Sequence, residues 1–168
     1  IQLDDHGNLD GTFGTNGKVF TDIALTDVTY DLELQTDGKI IVCGVSESAE
    51  GFSVILVRYL PDGGLDHTFG VEGIVRIGSE KEFDGSTVKI ILQPDGKIVV
   101  AGYSGFQSNI DFALARYDSY GNLDLSFNNG GKVKTDFAGK TDYAAAVVVQ
   151  PDGKIVVTGT IFNMDMDV

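Results

Sequence analysis

The chain has 168 residues, of which 42% are hydrophobic and 10% aromatic, so it can form one folded domain with a core and is not a disordered segment. Its net charge of −13 disfavours nucleic-acid binding, which requires clusters of Lys and Arg that this sequence lacks. No apolar run approaches the roughly 18 residues of a membrane span, so no membrane insertion is predicted. The single cysteine, Cys43, cannot form an internal disulfide, and we expect it to fill a core position.

Two motifs recur three times each, at spacings of 56 to 58 residues. The first is Leu-Asp-x-Thr/Ser-Phe, whose phenylalanines we expect to insert into the core from a linker loop. They are Phe13, Phe69 and Phe127. The second is an Asp-Gly-Lys turn, formed by Asp37, Gly38, Asp95, Gly96, Asp152 and Gly153 with the lysine that follows each pair. Two motifs that keep the same period indicate a repeat architecture.

In chain order, each period predicts four short strands. The first follows a glycine ("GKVFTDI", "GIVRIG", "GKVKTDF"), the second precedes the Asp-Gly turn ("YDLELQ", "VKIILQ", "AAVVVQ") and the third follows it ("KIIVCG", "KIVVAG", "KIVVTG"). The fourth is predicted at Val54–Tyr59 and Phe112–Tyr117. The Asp-Gly pair predicts a two-residue hairpin with positive φ at both positions. No segment has a sustained helical period.

The third strand indicates how the sheets pack. Its apolar residues are consecutive, whereas a strand with water on one face would alternate. A four-stranded sheet that is covered on both faces by copies of itself is a propeller blade. The predicted fold is therefore all-β, with three consecutive four-stranded antiparallel blades of a β-propeller, either partial or completed by oligomerisation. The alternative fold is a two-sheet sandwich, which ranks second because it would cover only one face of each sheet.

The blades form a single array over residues 1–168, with units at approximately 9–64, 65–122 and 123–168. Alignment of the units places Ile1–Leu3 opposite Val57–Tyr59 and Met166–Val168 opposite Val54–Leu56. The fourth strand of the last unit is thus split between the chain ends, to be completed by residues 1–8 or by a neighbour. We favour an excerpt from a longer array over a ring of six blades made by two chains.

The motifs together resemble the delta-60 repeat of bacterial secreted and cell-surface proteins. The resemblance covers the whole chain and rests on Leu123-Asp124 with Ser126-Phe127, Gly131 to Val133, Gln93 to Gly102 and Phe112 to Tyr117. It implies a β-propeller-like array in a long extracellular protein, of scaffold or adhesin type. The middle unit departs from the pattern, because Arg76-Ile77-Gly78 stands where the other units have Thr-Asp.

The acidic loops are candidates for calcium, which prefers six to eight oxygen ligands. The residues concerned are Asp4, Asp10, Asp66, Asp118 and Asp124. The loops lack a full Asp-x-Asp-x-Asp-Gly series and a closing Glu, so turn stabilisation is the favoured interpretation. Arg58 and Arg116 lie in apolar fourth strands and need a charged partner, for which Asp27 or Asp142 is predicted. No catalytic constellation and no organic cofactor site is indicated.

The sequence therefore favours a non-catalytic structural or recognition module of a secreted or cell-surface bacterial protein. Its partners would be neighbouring repeats or a second copy, and protein or glycan bound through the variable loops between strands three and four. Phe106, Phe162 and Met164 are the candidate contact residues there. The alternatives are the propeller part of an extracellular hydrolase or lyase, and a segment of a calcium-stabilised surface filament.

Overall fold

A computed structural model describes residues 1–49, 51–79, 84–106, 109–137 and 139–162, and ordered secondary structure in these ranges is entirely β. The ten strands are β1 (Thr26–Leu34), β2 (Ile40–Ser48), β3 (Gly51–Tyr59), β4 (Ile74–Ser79), β5 (Asp84–Leu92), β6 (Ile98–Phe106), β7 (Asn109–Tyr117), β8 (Lys132–Thr135), β9 (Thr141–Val149) and β10 (Ile155–Phe162). No helix long and apolar enough to cross a membrane occurs in the described ranges.

The strands form three antiparallel sheets that follow one another along the chain. The first has the order β1-β2-β3-β4, the second β5-β6-β7-β8, and the third contains β9 and β10. The sheets do not close into a ring. This arrangement confirms the predicted all-β fold of consecutive antiparallel blades.

The sheets are offset from the sequence periods. The strand that follows Gly73 is β4, and it pairs with β3 of the preceding period; β8 likewise pairs with β7. A blade therefore contains strands two, three and four of one period and the first strand of the next. The sequence assigned all four strands of one period to one sheet, and that assignment was wrong because the linker after β3 folds back on β3 through the Tyr59–Leu65 bridge, which places the strand after Gly73 beside β3.

The first predicted strand, "GKVFTDI", does not form in the described residues beyond an isolated bridge at Lys18. By analogy with β4 and β8, its partner would be the strand aligned with β3. The chain supplies only the last three residues of that strand, Ile1–Leu3. Gln2 donates from its amide to Gly17 O at 3.0 Å, just as Arg58 donates to Gly73 O. The predicted register of Ile1–Leu3 is therefore confirmed, whereas Met166–Val168 lies outside the described residues.

The Asp-Gly hairpins have a different turn from the one predicted. Gly38, Gly96 and Gly153 have φ of 82–83°, but the aspartates before them do not have positive φ. Gly38 N donates to Gln35 O and Gln35 N donates to Lys39 O, which is a type I turn closed by a left-handed glycine. The aspartate instead accepts a hydrogen bond at Oδ1 from the amide of the following lysine.

The second sheet is buried on both faces, as its non-alternating strand predicted. Ile98 and Val100 of β6 pack against the first sheet, whereas Val99 and Ala101 pack against the third. Cys43 lies in the first of these interfaces, and burial raises the pKa of its thiol to about 12. The predicted core position of Cys43 is confirmed, and the thiol stays protonated at neutral pH.

The linker phenylalanines join consecutive units. Phe69 is fully buried between the first two sheets, Phe13 is buried and Phe127 is half-buried against the interface of the second and third sheets. The glycine after each of the first two phenylalanines contacts the start of the following linker, since Gly14 N donates to Asp62 O and Gly70 N donates to Tyr120 O. Each linker thus fixes the distance between two neighbouring sheets.

A glycine in the third strand allows a bulge in the strand beside it. Gly44 faces the irregularity between Thr29 and Asp31, and a Cβ on Gly44 would collide with the Val28 carbonyl oxygen. We expect Gly44→Ala to lower the free energy of unfolding by about 1–3 kcal/mol, because the backbone must shift to admit the methyl group. Urea unfolding followed by circular dichroism measures this change.

Gly11→Ala is the matched control, since a Cβ at Gly11 meets no atom within 4 Å. Equal effects of the two substitutions would contradict the steric explanation.

Candidate functional site

The two ends of the sheets have different loops. One end, here called the turn end, carries the Asp-Gly-Lys hairpins and the Phe-containing linkers, which recur in every unit. The other, the loop end, carries the connections between the third and fourth strands and the start of each second strand. The loop-end connections differ in sequence from unit to unit, so specific chemistry is expected there.

At the turn end, Arg58 of β3 forms a buried ion pair with Asp66, which lies in the linker that follows β3. Its Nε lies 2.8 Å from Asp66 Oδ2, its Nη1 donates to Ser119 O of the next unit, and its guanidinium lies 4.5 Å from the Phe69 ring centre. The predicted partner, Asp27, was wrong: its carboxylate accepts from the Ile23 amide instead. The sequence could not identify Asp66 because pairing of β3 with the linker brings the two residues together.

The same group recurs in the second unit. Arg116 Nε lies 2.8 Å from Asp124 Oδ2, and its guanidinium lies 4.5 Å from the Phe127 ring centre. Asp142 is not its partner, so this prediction was also wrong. The second pair is more exposed, with 12% of the Asp124 side chain accessible against 4% for Asp66. These pairs stabilise the linkers.

The five aspartates considered for calcium each accept hydrogen bonds within a turn or linker. Asp4 and Asp118 accept from two backbone amides and an Asn side chain, whereas Asp10, Asp66 and Asp124 accept from the Thr or Ser two residues later. Only Asp4 belongs to a group of possible metal ligands among the described residues, with exposed Asp5 and His6. This geometry is that of turn stabilisation.

The loop end contains a cluster of three carboxylates, here called the acidic cluster: Asp111, Asp136 and Asp142. Asp111 lies near the start of β7, Asp136 follows β8, and Asp142 is the second residue of β9. One oxygen from each lies within 4.8 Å of the others. Asp111 and Asp142 are 2% and 0% exposed, respectively, and Asp136 is exposed.

Each carboxylate of the acidic cluster has one identified partner. Asp142 Oδ2 accepts from Phe137 N at 2.7 Å, Asp136 Oδ1 accepts from Gly139 N at 2.7 Å, and Lys134 Nζ lies 2.6 Å from Asp111 Oδ2. Asp111 Oδ1 and Asp142 Oδ1 are buried without a hydrogen-bond partner in the described structure. Buried polar atoms in this state are rare in folded proteins and point to an absent water or ion.

Sequence reasoning did not identify the acidic cluster. A partial signal existed, because Thr135-Asp136 and Asp142 repeat Thr21-Asp22 and Asp27 of the first unit. Nothing in the repeat pattern marks Asp111 as a functional residue, because Ser53 occupies the aligned position before the fourth strand of the first unit. The cluster assembles only when the second sheet packs against the third.

An aromatic residue directly follows each aspartate of the acidic cluster in the chain: Phe112, Phe137 and Tyr143. The ring centres of Tyr103 and Tyr143 are 4.7 Å apart, and those of Tyr143 and Phe162 are 5.5 Å apart, both in edge-to-face geometry. Phe112 and Phe137 form another pair at 5.1 Å. Phe162 is exposed, as its predicted contact role requires, whereas the Phe106 side chain and Met164 lie outside the described part of the chain.

Comparison with known protein families assigns the repeat. The profile of a β-propeller family, described as a domain of unknown function (DUF5122), matches residues 35–69, 93–127 and 150–164, about half of the chain. The chain belongs to this family. Each of the two longer matches runs from the Asp-Gly-Lys hairpin to the linker phenylalanine, so the family pattern covers the turn end and the strands that follow it. Comparison with the curated proteins finds no match.

The ion pair at Arg58 should make stability depend on pH. Burial tends to raise the pKa of Asp66, but hydrogen bonds from Thr68 and Lys39 and the charge of Arg58 hold this pKa well below its ordinary value. The unfolded chain therefore takes up this proton first, near pH about 4, and stability falls as the pH drops below that value. Asp66→Asn should flatten this fall and cost about 1–3 kcal/mol at pH 7, because Arg58 loses its charged partner.

Urea unfolding between pH 2 and pH 7 tests this prediction. Asp124→Asn is the matched comparison and should cost less, because its pair is more exposed. An unchanged pH profile in Asp66→Asn would show that this carboxylate is not the group responsible.

Proposed function

We propose that the chain is a structural and recognition module of the delta-60 type, in which blades pack against further blades while the loop end binds ligands. Such a module is non-catalytic and works outside the cell or at its surface. Three observations support this proposal. The repeat belongs to a β-propeller family, its recurring aspartates are used in turns, and the outward faces of the first and third sheets are apolar and not covered by another sheet of the described structure. The carrying observation is that equivalent residues are buried or exposed according to whether a neighbouring sheet covers them.

The outward side of the first sheet, the front face, is formed by Leu32, Leu34, Ile40 and Val42, which pair directly across β1 and β2. Leu32 is 62% exposed, yet its counterpart in the second sheet, Ile90, is 3% exposed because the first sheet covers it. The front face therefore has the composition of a blade interface without its partner sheet.

The outward side of the third sheet, the back face, contains Val148 and Val156, which pair across β9 and β10. Val156 is 44% exposed, whereas its counterpart Val99 is fully buried by the third sheet. The prediction that the third strand is covered on both faces thus holds for β6 and not for β10. Apolar sheet faces that are exposed to solvent favour association with another molecule.

A second copy of the chain is the occupant that fits both faces. The interface between the first and second sheets already joins a back-type face to a front-type face. A second copy repeats this contact, and because the two faces differ the association is head to tail. Head-to-tail contacts close into a ring when the rotation allows it.

The loop end supports ligand recognition. The exposed Phe162 ring lies beside Tyr143, and the exposed Phe137 ring lies beside Phe112. Exposed aromatic rings are suited to glycans, whose apolar faces stack on them, and the exposed Asp136, which precedes Phe137 in the chain, can accept hydrogen bonds from glycan hydroxyls. We expect Phe162→Ser to reduce binding on a glycan array without changing the circular dichroism spectrum; Phe20→Ser, at an exposed residue remote from the loop-end rings, serves as the control.

Retained binding by Phe162→Ser, or equal loss by Phe20→Ser, would contradict a recognition role for the loop end.

We expect the chain to self-associate, with a mass above that of one chain in sedimentation equilibrium. Leu34→Glu on the front face and Val156→Glu on the back face should each abolish this association, because burying an unpaired carboxylate between apolar sheets is unfavourable. A mixture of the two variants should form a heterodimer, since each retains the face that the other has lost.

Leu125→Glu, at an exposed linker residue outside both faces, is the control and should associate like the unmodified chain. A monomeric unmodified chain would overturn the proposed self-association. Variants that associate alone, or a mixture that stays monomeric, would overturn the head-to-tail geometry.

A further inference from the structure

We propose that the acidic cluster is a binding site for one divalent cation of the calcium class, held across the junction of the second and third sheets. Asp111 and Asp136 belong to the second sheet and its outgoing loop, and Asp142 belongs to the third. A cation there would join two blades at the loop end. This proposal stands on its own, because it does not require the association or the glycan binding proposed above.

The main support for the cation site is two buried carboxylate oxygens that have no hydrogen-bond partner. Asp111 and Asp142 are almost completely buried, and Oδ1 of each lacks a hydrogen-bond partner among the described residues. Leaving a buried carboxylate oxygen without a partner is costly, and coordination of a metal ion removes that cost. Among the other described aspartates, only Asp27 has a buried oxygen without a hydrogen-bond partner, and Asp27 belongs to no group of possible metal ligands.

The spacing of the carboxylates suits one ion. Calcium binds oxygen at about 2.3–2.6 Å, so two ligands on opposite sides of it lie about 5 Å apart. The three oxygens of the acidic cluster lie within 4.8 Å of one another, inside that limit. Magnesium requires shorter distances of about 2.0–2.1 Å and near-ideal octahedral geometry. The donors are all oxygens, which disfavours zinc.

The remaining contacts leave ligand atoms for a cation. The loop between β8 and β9 uses Asp142 Oδ2 and Asp136 Oδ1 as acceptors for backbone amides. Asp142 Oδ1 is therefore available, as is the second oxygen of Asp136. The Lys134 ammonium offsets one of the three negative charges through Asp111 Oδ2, so it competes with a cation without occupying Asp111 Oδ1.

The other blade junction has no carboxylate at the three positions that align in sequence with the acidic cluster. At the junction of the first and second sheets, the positions of the three aspartates are taken by Ser53, Gly78 and Gly85. Among the described residues, these aligned positions thus hold three carboxylates at one blade junction and none at the other, where Asp84 precedes Gly85. Packing of two sheets does not by itself require acids there.

Calorimetric titration of the EDTA-treated chain with CaCl₂ tests the proposal. We expect one Ca²⁺ per chain, with a Kd of about 10⁻⁴–10⁻³ M as in extracellular modules, and weaker binding of Mg²⁺ in a parallel titration. Ca²⁺ should also raise the melting temperature, because it binds only the folded arrangement of two sheets.

Asp136→Asn is the informative variant, since Asp136 is exposed and an asparagine can still accept the Gly139 amide hydrogen bond. It should weaken Ca²⁺ binding at least about tenfold, as loss of one charged ligand does. Lys134→Gln should strengthen binding severalfold, because the competing ammonium is removed. Asp22→Asn, at the equivalent exposed position of the first unit, and Asp5→Asn, in the other acidic group, should leave Ca²⁺ affinity unchanged.

Absence of a Ca²⁺ signal in the unmodified chain would overturn the proposal and assign the two buried oxygens to buried water. Binding that Asp5→Asn removes and Asp136→Asn retains would place the cation at the other acidic group. Weaker Ca²⁺ binding in Lys134→Gln would show that the lysine organises the carboxylates for another purpose, which also contradicts the site.

Discussion

Face-to-face packing of consecutive sheets is the contact on which the rest of this chain depends. Strand β6 has apolar side chains on both faces, so the second sheet can be stable only between two others. The first and third sheets supply that cover, and each is left with one outward face that has a similar apolar composition. The difference between Val99 and Val156, equivalent residues with opposite burial, shows that the presence of a neighbouring sheet, and not residue type, decides what is exposed.

The turn end maintains the spacing that this packing requires. In the linkers of the second and third units, Phe69 and Phe127 enter an interface between two sheets, and an arginine from the preceding strand covers each ring. An aspartate holds the turn of all three linkers. Arg58 also reaches the Ser119 carbonyl of the next unit, so one side chain connects two repeats. Much of the acidity of the sequence is used in such turns, which explains why the aspartates recur without forming a shared ligand site.

The two ends of the sheets therefore differ in kind. At the turn end the recurring carboxylates of Asp66 and Asp124 have an arginine partner. At the loop end, Asp111 and Asp142 come from different sheets, and each has one buried oxygen without a hydrogen-bond partner in the part of the chain that the structure describes. A fold of this type supports many activities, so function has to be sought in the residues that the repeat does not prescribe. Two members of the acidic cluster, Asp136 and Asp142, recur in the first unit as Asp22 and Asp27, whereas Asp111 does not recur.

The sequence by itself determined the repeat period, the strands other than "GKVFTDI", the buried linker phenylalanines and the two-sided burial of β6, because these follow from local patterns of side chains. It did not determine which sheet β4 and β8 join, the partner of Arg58, or the backbone angle of the aspartate in the hairpin. Nor did it reveal the acidic cluster, whose members are separated along the chain by as many as 31 positions, from Asp111 to Asp142. Only the tertiary structure decided these points, since strand pairing and the rotation of one sheet on the next set which distant side chains meet.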